Sequence, residues 1–197
     1  MRDEAPEIPK YGGYRKLKSY RAAQLVFQVT AQFCDMYVEE DSRVGDRMME
    51  AAQGAVQKIA GGSVEGENSK KSEMKLTKQA RVLLEELHRD YVAFLRQHEL
   101  PVWDAADARR ADLIAGRPRS ADDVAEWMGR VETPSGPSTN SIPSIPSPEI
   151  VANGAMVLIG MATALIDRQV SAQVRVVQHE ERVAEQLRRR RLEEWPG

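Results

Sequence analysis

Two clusters of cations carry the clearest chemical signal in the sequence. Residues 8–34 hold Lys10, Arg15, Lys16, Lys18 and Arg21 without an acid, and Tyr11, Tyr14 and Tyr20 lie between them. Residues 69–84 hold Lys70, Lys71, Lys75, Lys78 and Arg81 against the single acid Glu73. Ammonium and guanidinium groups contact phosphate oxygens, and tyrosine rings stack on unpaired bases. Arg15, Lys16, Lys18, Arg21, Lys70, Lys71, Lys75 and Lys78 are therefore the candidate nucleic-acid-binding residues. A solvated lysine face is the plain alternative for the same residues. Arg188–Arg191 forms a third basic run, but Glu185, Glu193 and Glu194 flank it at helix-pair spacings and neutralise it.

Other reactive patterns fall short of a site. Glu85-x-x-His88 places two ligands on one helical face, but a di-iron carboxylate bundle needs a second such pair, and there is none. His88 reads as a flank residue, and His179, on a helical stripe, as a packed or interface histidine. Gly61-x4-Gly66 imitates the opening of a phosphate loop. Glu67 and Asn68 follow where that loop needs Lys and Ser/Thr, and a glutamate repels phosphate. Cys34 lies on an apolar stripe and reads as an inert thiol. No Ser/His/Asp or Cys/His arrangement is present. The reading is a non-enzyme without cofactor or metal.

Composition narrows the class. The chain has 197 residues, 28 basic and 30 acidic, for a net charge of −2. That excludes a uniformly basic coat, so a polyanion site must be a local patch. One cysteine excludes a disulfide framework. The start, MRDEAPEIPKYGG, has no apolar signal core, and a cytoplasmic location follows as the expectation.

The elements that position these residues read as helices throughout. Residues 1–13 form a flexible lead-in, and 14–103 the first three bundle helices. In the first helix, Leu17, Tyr20, Gln24, Phe27, Ala31, Cys34 and Val38 trace one stripe, and Leu25, Val29, Phe33 and Met36 a second. So wide an apolar surface needs deep burial or a second subunit. The second helix runs over Arg43–Ala60, where Gly61 and Gly62 stop it. Ser69 or Ser72 caps the third, which reaches about His98. Residues 104–132 form an insertion with short helices over Ala105–Ala115 and Ala121–Arg130. Residues 133–148 hold five prolines and five serines without a charge and read as a linker.

Residues 149–195 form the fourth long helix. Its stripe is Val151, Ala155, Leu158, Ala162, Leu165, Gln169, Ala172, Val176, His179, Val183 and Leu187, and its C-terminal part outruns the bundle. Its uncharged stretch Ile150–Ile166 counts 17 residues, short of the roughly 20 that span a bilayer, so it reads as buried core and not as membrane. Short turns after the first two helices favour an antiparallel up-down four-helix bundle. In that order the first and third helices start at one end and, lying side by side, join the two basic clusters.

The run IAGGSVEGENSKKSEMKLTKQARVLLEELHRDYVAFLRQHELPVW over 59–103 resembles the bacterial four helix bundle protein family, in its suffix-domain variant. The matching positions are Glu65-Gly66, Ser69-Lys70-Lys71, Leu84-Glu85-Glu86-Leu87, Asp90-Tyr91, Phe94-Leu95-Arg96 and Leu100-Pro101-Val102-Trp103. YRKLKSYRAAQLVFQVT and ANGAMVLIGMATALIDRQV fit the same variant, so the likeness covers about 11–103 and 149–175. That family is related to proteins encoded in intervening sequences of ribosomal RNA genes and is similar to the accessory variability protein of diversity-generating retroelements. The resemblance implies a ring-like pentamer with a basic surface, binding a reverse transcriptase and nucleic acid, and carries no catalytic residues. The proline linker and the long charged last helix depart from it.

The leading expectation is a non-enzymatic, self-associating bundle that binds RNA or DNA, or a nucleoprotein partner. The runner-up is a protein–protein module that docks through its last helix.

Overall fold

The computed structural model describes residues 13–39, 42–132 and 146–194. The expected lead-in, except Gly13, and residues 133–145 of the expected linker lie outside them. The described residues are all-helical: a 3-10 turn over Gly13–Lys16 and six α-helices, α1 (Lys18–Tyr37), α2 (Arg43–Glu65), α3 (Lys70–Gln97), α4 (Ala108–Gly116), α5 (Ala121–Glu132) and α6 (Pro148–Glu194).

Local chemistry sets the helix starts. Ser42 Oγ accepts from Val44 N at 3.2 Å, Ser69 Oγ from Ser72 N at 3.2 Å, and Asp107 Oδ1 from Arg109 N at 2.9 Å. Ser120 and Asp123 form a reciprocal capping box on α5. Ser147 caps α6 with Pro148 at its first position, where a missing amide hydrogen costs nothing. The linker expected to 148 therefore ends earlier: Ser147 N donates to Glu132, and the Pro146 carbonyl accepts from the Tyr37 hydroxyl. The α3 terminus closes on Glu99 at φ 56°, with Leu100 N bonded back to Leu95 O.

Gly61 and Gly62 do not stop α2, which continues to Glu65. A Cβ on Gly62 would sit 3.3 Å from Glu73 O and Leu76 Cβ. The small residue lets the end of α2 press onto the start of α3, and that packing outweighs the glycine propensity cost of about 1 kcal/mol.

α1 packs on α2 and α6, and α3 also packs on α2 and α6, whereas α1 and α3 make no backbone approach to each other. Side-chain contacts give the directions. Ser19 meets Gln169 while Tyr37 meets Pro146, so α1 runs against α6. Gln173 meets Thr77 while Asn153 meets Trp103 and Pro101, so α3 also runs against α6. Arg47 pairs with Asp90 near the other end of the α2–α3 contact, at 2.6 Å. Across the diagonal, Phe33 meets Tyr91 at a tilt and Phe94 edge to face, and Tyr91 donates to Thr30 at 3.0 Å in full burial.

The buried face of α1 is Ser19, Ala23, Val26, Thr30 and Phe33 with Leu25 and Val29. The second expected stripe lies in it through Leu25, Val29 and Phe33, with Met36 exposed, whereas the first runs half-buried along its border and its Gln24 is exposed. Neighbours within the chain cover this breadth, so it needs no second subunit. α6 differs too. Residues 150–159 are buried without a break, and the seam continues through Ala162, Ile166, Gln173 and Val177. The expected stripe through Ala172, Val176, His179, Val183 and Leu187 faces outward, and His179 is exposed instead of packed. Residues 178–191 are exposed throughout, so the helix outruns the body. α6 is long and apolar enough to cross a membrane, and 67 % of its most apolar window is buried inside the chain.

The insertion packs onto α6. Trp103 and Trp127 meet edge to face at 6.2 Å, and Trp127 lies over Gly154, where a Cβ would come within 3.0 Å of its ring. Both indole nitrogens donate, Trp103 to Glu149 at 2.8 Å and Trp127 to Asp112 at 2.9 Å. Arg109 lies 3.9 Å over the Trp103 ring. Asn153, 1 % exposed, accepts from Trp103 N at 2.8 Å and donates to the carbonyls of Pro101 and Glu149. Replacing it strands Trp103 N and Pro101 O, each a desolvation cost of about 1–3 kcal/mol. Asn153→Ala should lower unfolding free energy by about 2–4 kcal/mol, read from urea denaturation at unchanged helix content.

Candidate nucleic-acid interface

The starts of α1 and α3 lie at one end of the body. The α6 contacts show it: Gln169 meets Ser19, Gln173 meets Thr77 and Glu181 approaches Lys71. All eight sequence-derived cations therefore share an end, as the up-down order implies. They do not share a face, because α1 and α3 occupy opposite corners with α2 and α6 between them.

On the α1 side, Arg15 lies 5.8 Å from the Tyr14 ring, and its carbonyl accepts from Arg21 Nε at 3.0 Å. Tyr14 and Tyr20 pack on each other at 4.8 Å and are both half-buried, which leaves ring edges for contact instead of free faces. Arg15, Lys16, Lys18 and Arg21 are exposed. Lys18 and Arg21 share a groove with Arg117 and Arg119 of the α4–α5 turn. These two arginines, more than 90 residues away in sequence, escaped the sequence reading. The signal available was Gly-Arg-Pro-Arg, a short acid-free run.

On the α3 side, the cations divide. Lys70 bonds Glu73 at 3.2 Å, and Lys71 approaches Glu181 at 3.8 Å. Arg81 is held between Glu85 and Asp167, each at 2.6 Å. Lys71, Lys75 and Lys78 line a shallow surface with Met74 and Val82. Among the described residues, Arg15, Lys16, Lys18, Arg21, Lys75 and Lys78 are in no ion pair. Paired cations have already traded their solvation for a fixed partner. The unpaired ones are available to phosphate.

Toward the opposite end Asp35, Glu39, Glu86 and Asp90 stand among Arg43, Arg47, Arg89 and Arg96, so both signs are present there. Asp90 is paired with Arg47, and Glu149, which opens α6, with Arg109.

The remaining reactive groups stay isolated. Among the described residues no group of three or more His, Cys, Asp or Glu is placed to hold a metal ion. Partial desolvation, with the Arg110 guanidinium beside it, holds the His88 pKa below the ordinary histidine value. Burial pushes the Cys34 thiol up to about 11. Its sulfur lies 4.0 Å from the Gly45 carbonyl, its nearest polar contact.

No family model, curated protein or solved structure matches this chain.

The Cys34 environment yields a direct test. A thiol reacts as its thiolate, and at pH 7.5 the thiolate fraction falls about tenfold for each unit by which the pKa rises. Iodoacetamide should modify Cys34 in folded protein roughly a hundredfold more slowly than in urea, with mass spectrometry as the readout.

Proposed function

We propose that this chain is a non-enzymatic, self-associating nucleic-acid accessory protein. Its α1, α2, α3 and α6 serve as an antiparallel up-down four-helix bundle of the suffix-domain kind. The observation that carries the reading is the gathering of unpaired cations at the end where α1 and α3 begin. Helix starts add their own partial positive charge there, which favours phosphate at close range. Binding is weak and sequence-tolerant, because these groups offer charge to a backbone and no fixed donor pattern to base edges.

Association multiplies the patch and adds avidity. The pentameric ring and the reverse-transcriptase partner belong to this proposal through the resemblance over 11–103 and 149–175, as does a cytoplasmic setting. Because α1 is covered within its own chain, association draws on other surfaces. The outward row of α6, with Val176 43 %, Val183 40 % and Leu187 53 % exposed, is the apolar surface at hand. The same row supports the second reading, a protein-docking module that uses the projecting helix without nucleic acid.

Salt separates the two. Each phosphate contact contributes roughly 0.7–0.9 to the slope of log affinity against log salt. Fluorescence anisotropy with a single-stranded oligonucleotide should give steeply salt-dependent binding. Changing Lys70, Lys71, Lys75 and Lys78 to Ala should flatten the slope by about 2–3. Absence of wild-type binding at low salt, or equal binding by the quadruple variant, overturns this reading and leaves the docking module.

A further inference from the structure

The groove that holds Lys18 and Arg21 differs in kind from a phosphate-backbone patch. It has a volume of about 510 Å³, within the range of small-molecule sites. Its rim carries four cations: Lys18 and Arg21 from α1, and Arg117 and Arg119 from the α4–α5 turn. Its floor is apolar: Leu25 from α1, and Leu158, Met161 and Leu165 along one stripe of α6. No acid lines it, and among the described residues none of the four cations is in an ion pair.

The groove thus offers positive charge without a counter-charge: all four cations are exposed, beside an apolar floor. Met161 and Leu165 remain half-buried where the neighbouring stretch, residues 150–159, is covered completely. Arg117 carries a local cost. It sits at φ 48°, ψ 56°, in the left-handed region, and it precedes Pro118, which disfavours helical backbone in the residue before it. Gly116 next to it would take that conformation freely. An arginine is kept at a strained position on the rim of the groove, a pattern that points to function.

From this geometry we propose that the groove binds a single-chain anionic amphiphile, with a phosphate monoester head between the four cations and an alkyl chain along Leu25, Leu158, Met161 and Leu165. A phosphate monoester carries close to two negative charges near neutral pH and three strong acceptor oxygens, which suits a multi-arginine rim better than a carboxylate does. The alkyl chain supplies what a nucleic-acid backbone lacks, an apolar body to cover the floor. The proposal is independent of nucleic-acid binding. Lys75 and Lys78 lie on the far corner and take no part in it.

The probe is dodecyl phosphate, kept below its micelle concentration and titrated calorimetrically into the full chain. Sodium phosphate, dodecanol, anionic phospholipid vesicles and oligothymidine serve as comparison ligands. Binding at one site per chain with a negative heat-capacity change is expected, the mark of buried apolar surface. Arg117→Gly removes a cation and the backbone strain together. It should weaken dodecyl phosphate about tenfold or more while the melting temperature holds or rises, so its effect is separable from misfolding. Leu165→Asp should weaken binding as well, and the Lys75→Ala/Lys78→Ala variant should bind as wild type. Four results overturn the proposal: no binding of dodecyl phosphate, equal binding of sodium phosphate or dodecanol, wild-type affinity in Arg117→Gly, or binding to vesicles alone, which would indicate a membrane surface. Loss of oligothymidine binding, by contrast, bears only on the nucleic-acid reading.

Discussion

The fold depends on a helix with no outer side. Residues 150–159 of α6 are buried in every direction, and no helix can be so unless neighbours surround it. α1 and α3 cover two flanks, and neither reaches the third. That flank belongs to Trp103, Leu113, Val124, Trp127 and Met128, which come from the segment just after α3 and from the insertion. The insertion is thus a structural wall and not a decoration between helices. Without it a contiguous apolar strip along the first turns of α6 would face water, at roughly 25 cal/mol for each Å² left exposed.

Polar groups fix where this wall sits. Apolar contact tolerates sliding, whereas the hydrogen bonds of Asn153 with Trp103 N and Pro101 O and the indole bonds to Glu149 and Asp112 do not. Arg109 closes the set by stacking on Trp103 and reaching Glu149 at 3.4 Å. The same placement sets the α4–α5 turn against α1, which is why Arg117 and Arg119 end beside Lys18 and Arg21. Core packing at one end of the insertion therefore determines the chemistry of the surface at its other end.

Much of this was legible in the sequence, for identifiable reasons. Serine caps and the 3-4 rhythm announced an all-helical chain and most helix bounds, whereas the glycines at 61 and 62, read as a stop, lie inside α2. Phase was harder. In α6 a run of 17 uncharged residues has no polar side from which to read a direction, and the true seam then passes through Gln173, which looks like surface. In α1 the buried face contains Ser19 and Thr30, each bonded to a partner on another helix, so the larger residues at its borders gave a stronger but misplaced stripe. The two basic clusters were legible as clusters. Their separation onto opposite corners was not, because an up-down order specifies which ends coincide and leaves open which helices are diagonal. Arg117 and Arg119 were illegible for the simplest reason: their partners are distant in the chain.

The last helix also sets the timing of assembly. α6 contributes the central wall of the body, yet it leaves the ribosome only after α1 to α5. At roughly 5–20 residues per second, the growing chain spends on the order of 2–10 s with α1 to α5 already synthesised and the place of α6 empty. During that interval the sides of α1 and α3 that pack on α6 are without their partner. A chain that stops before residue 150 carries the exposed cations of α1, α3 and the α4–α5 turn and no completed core.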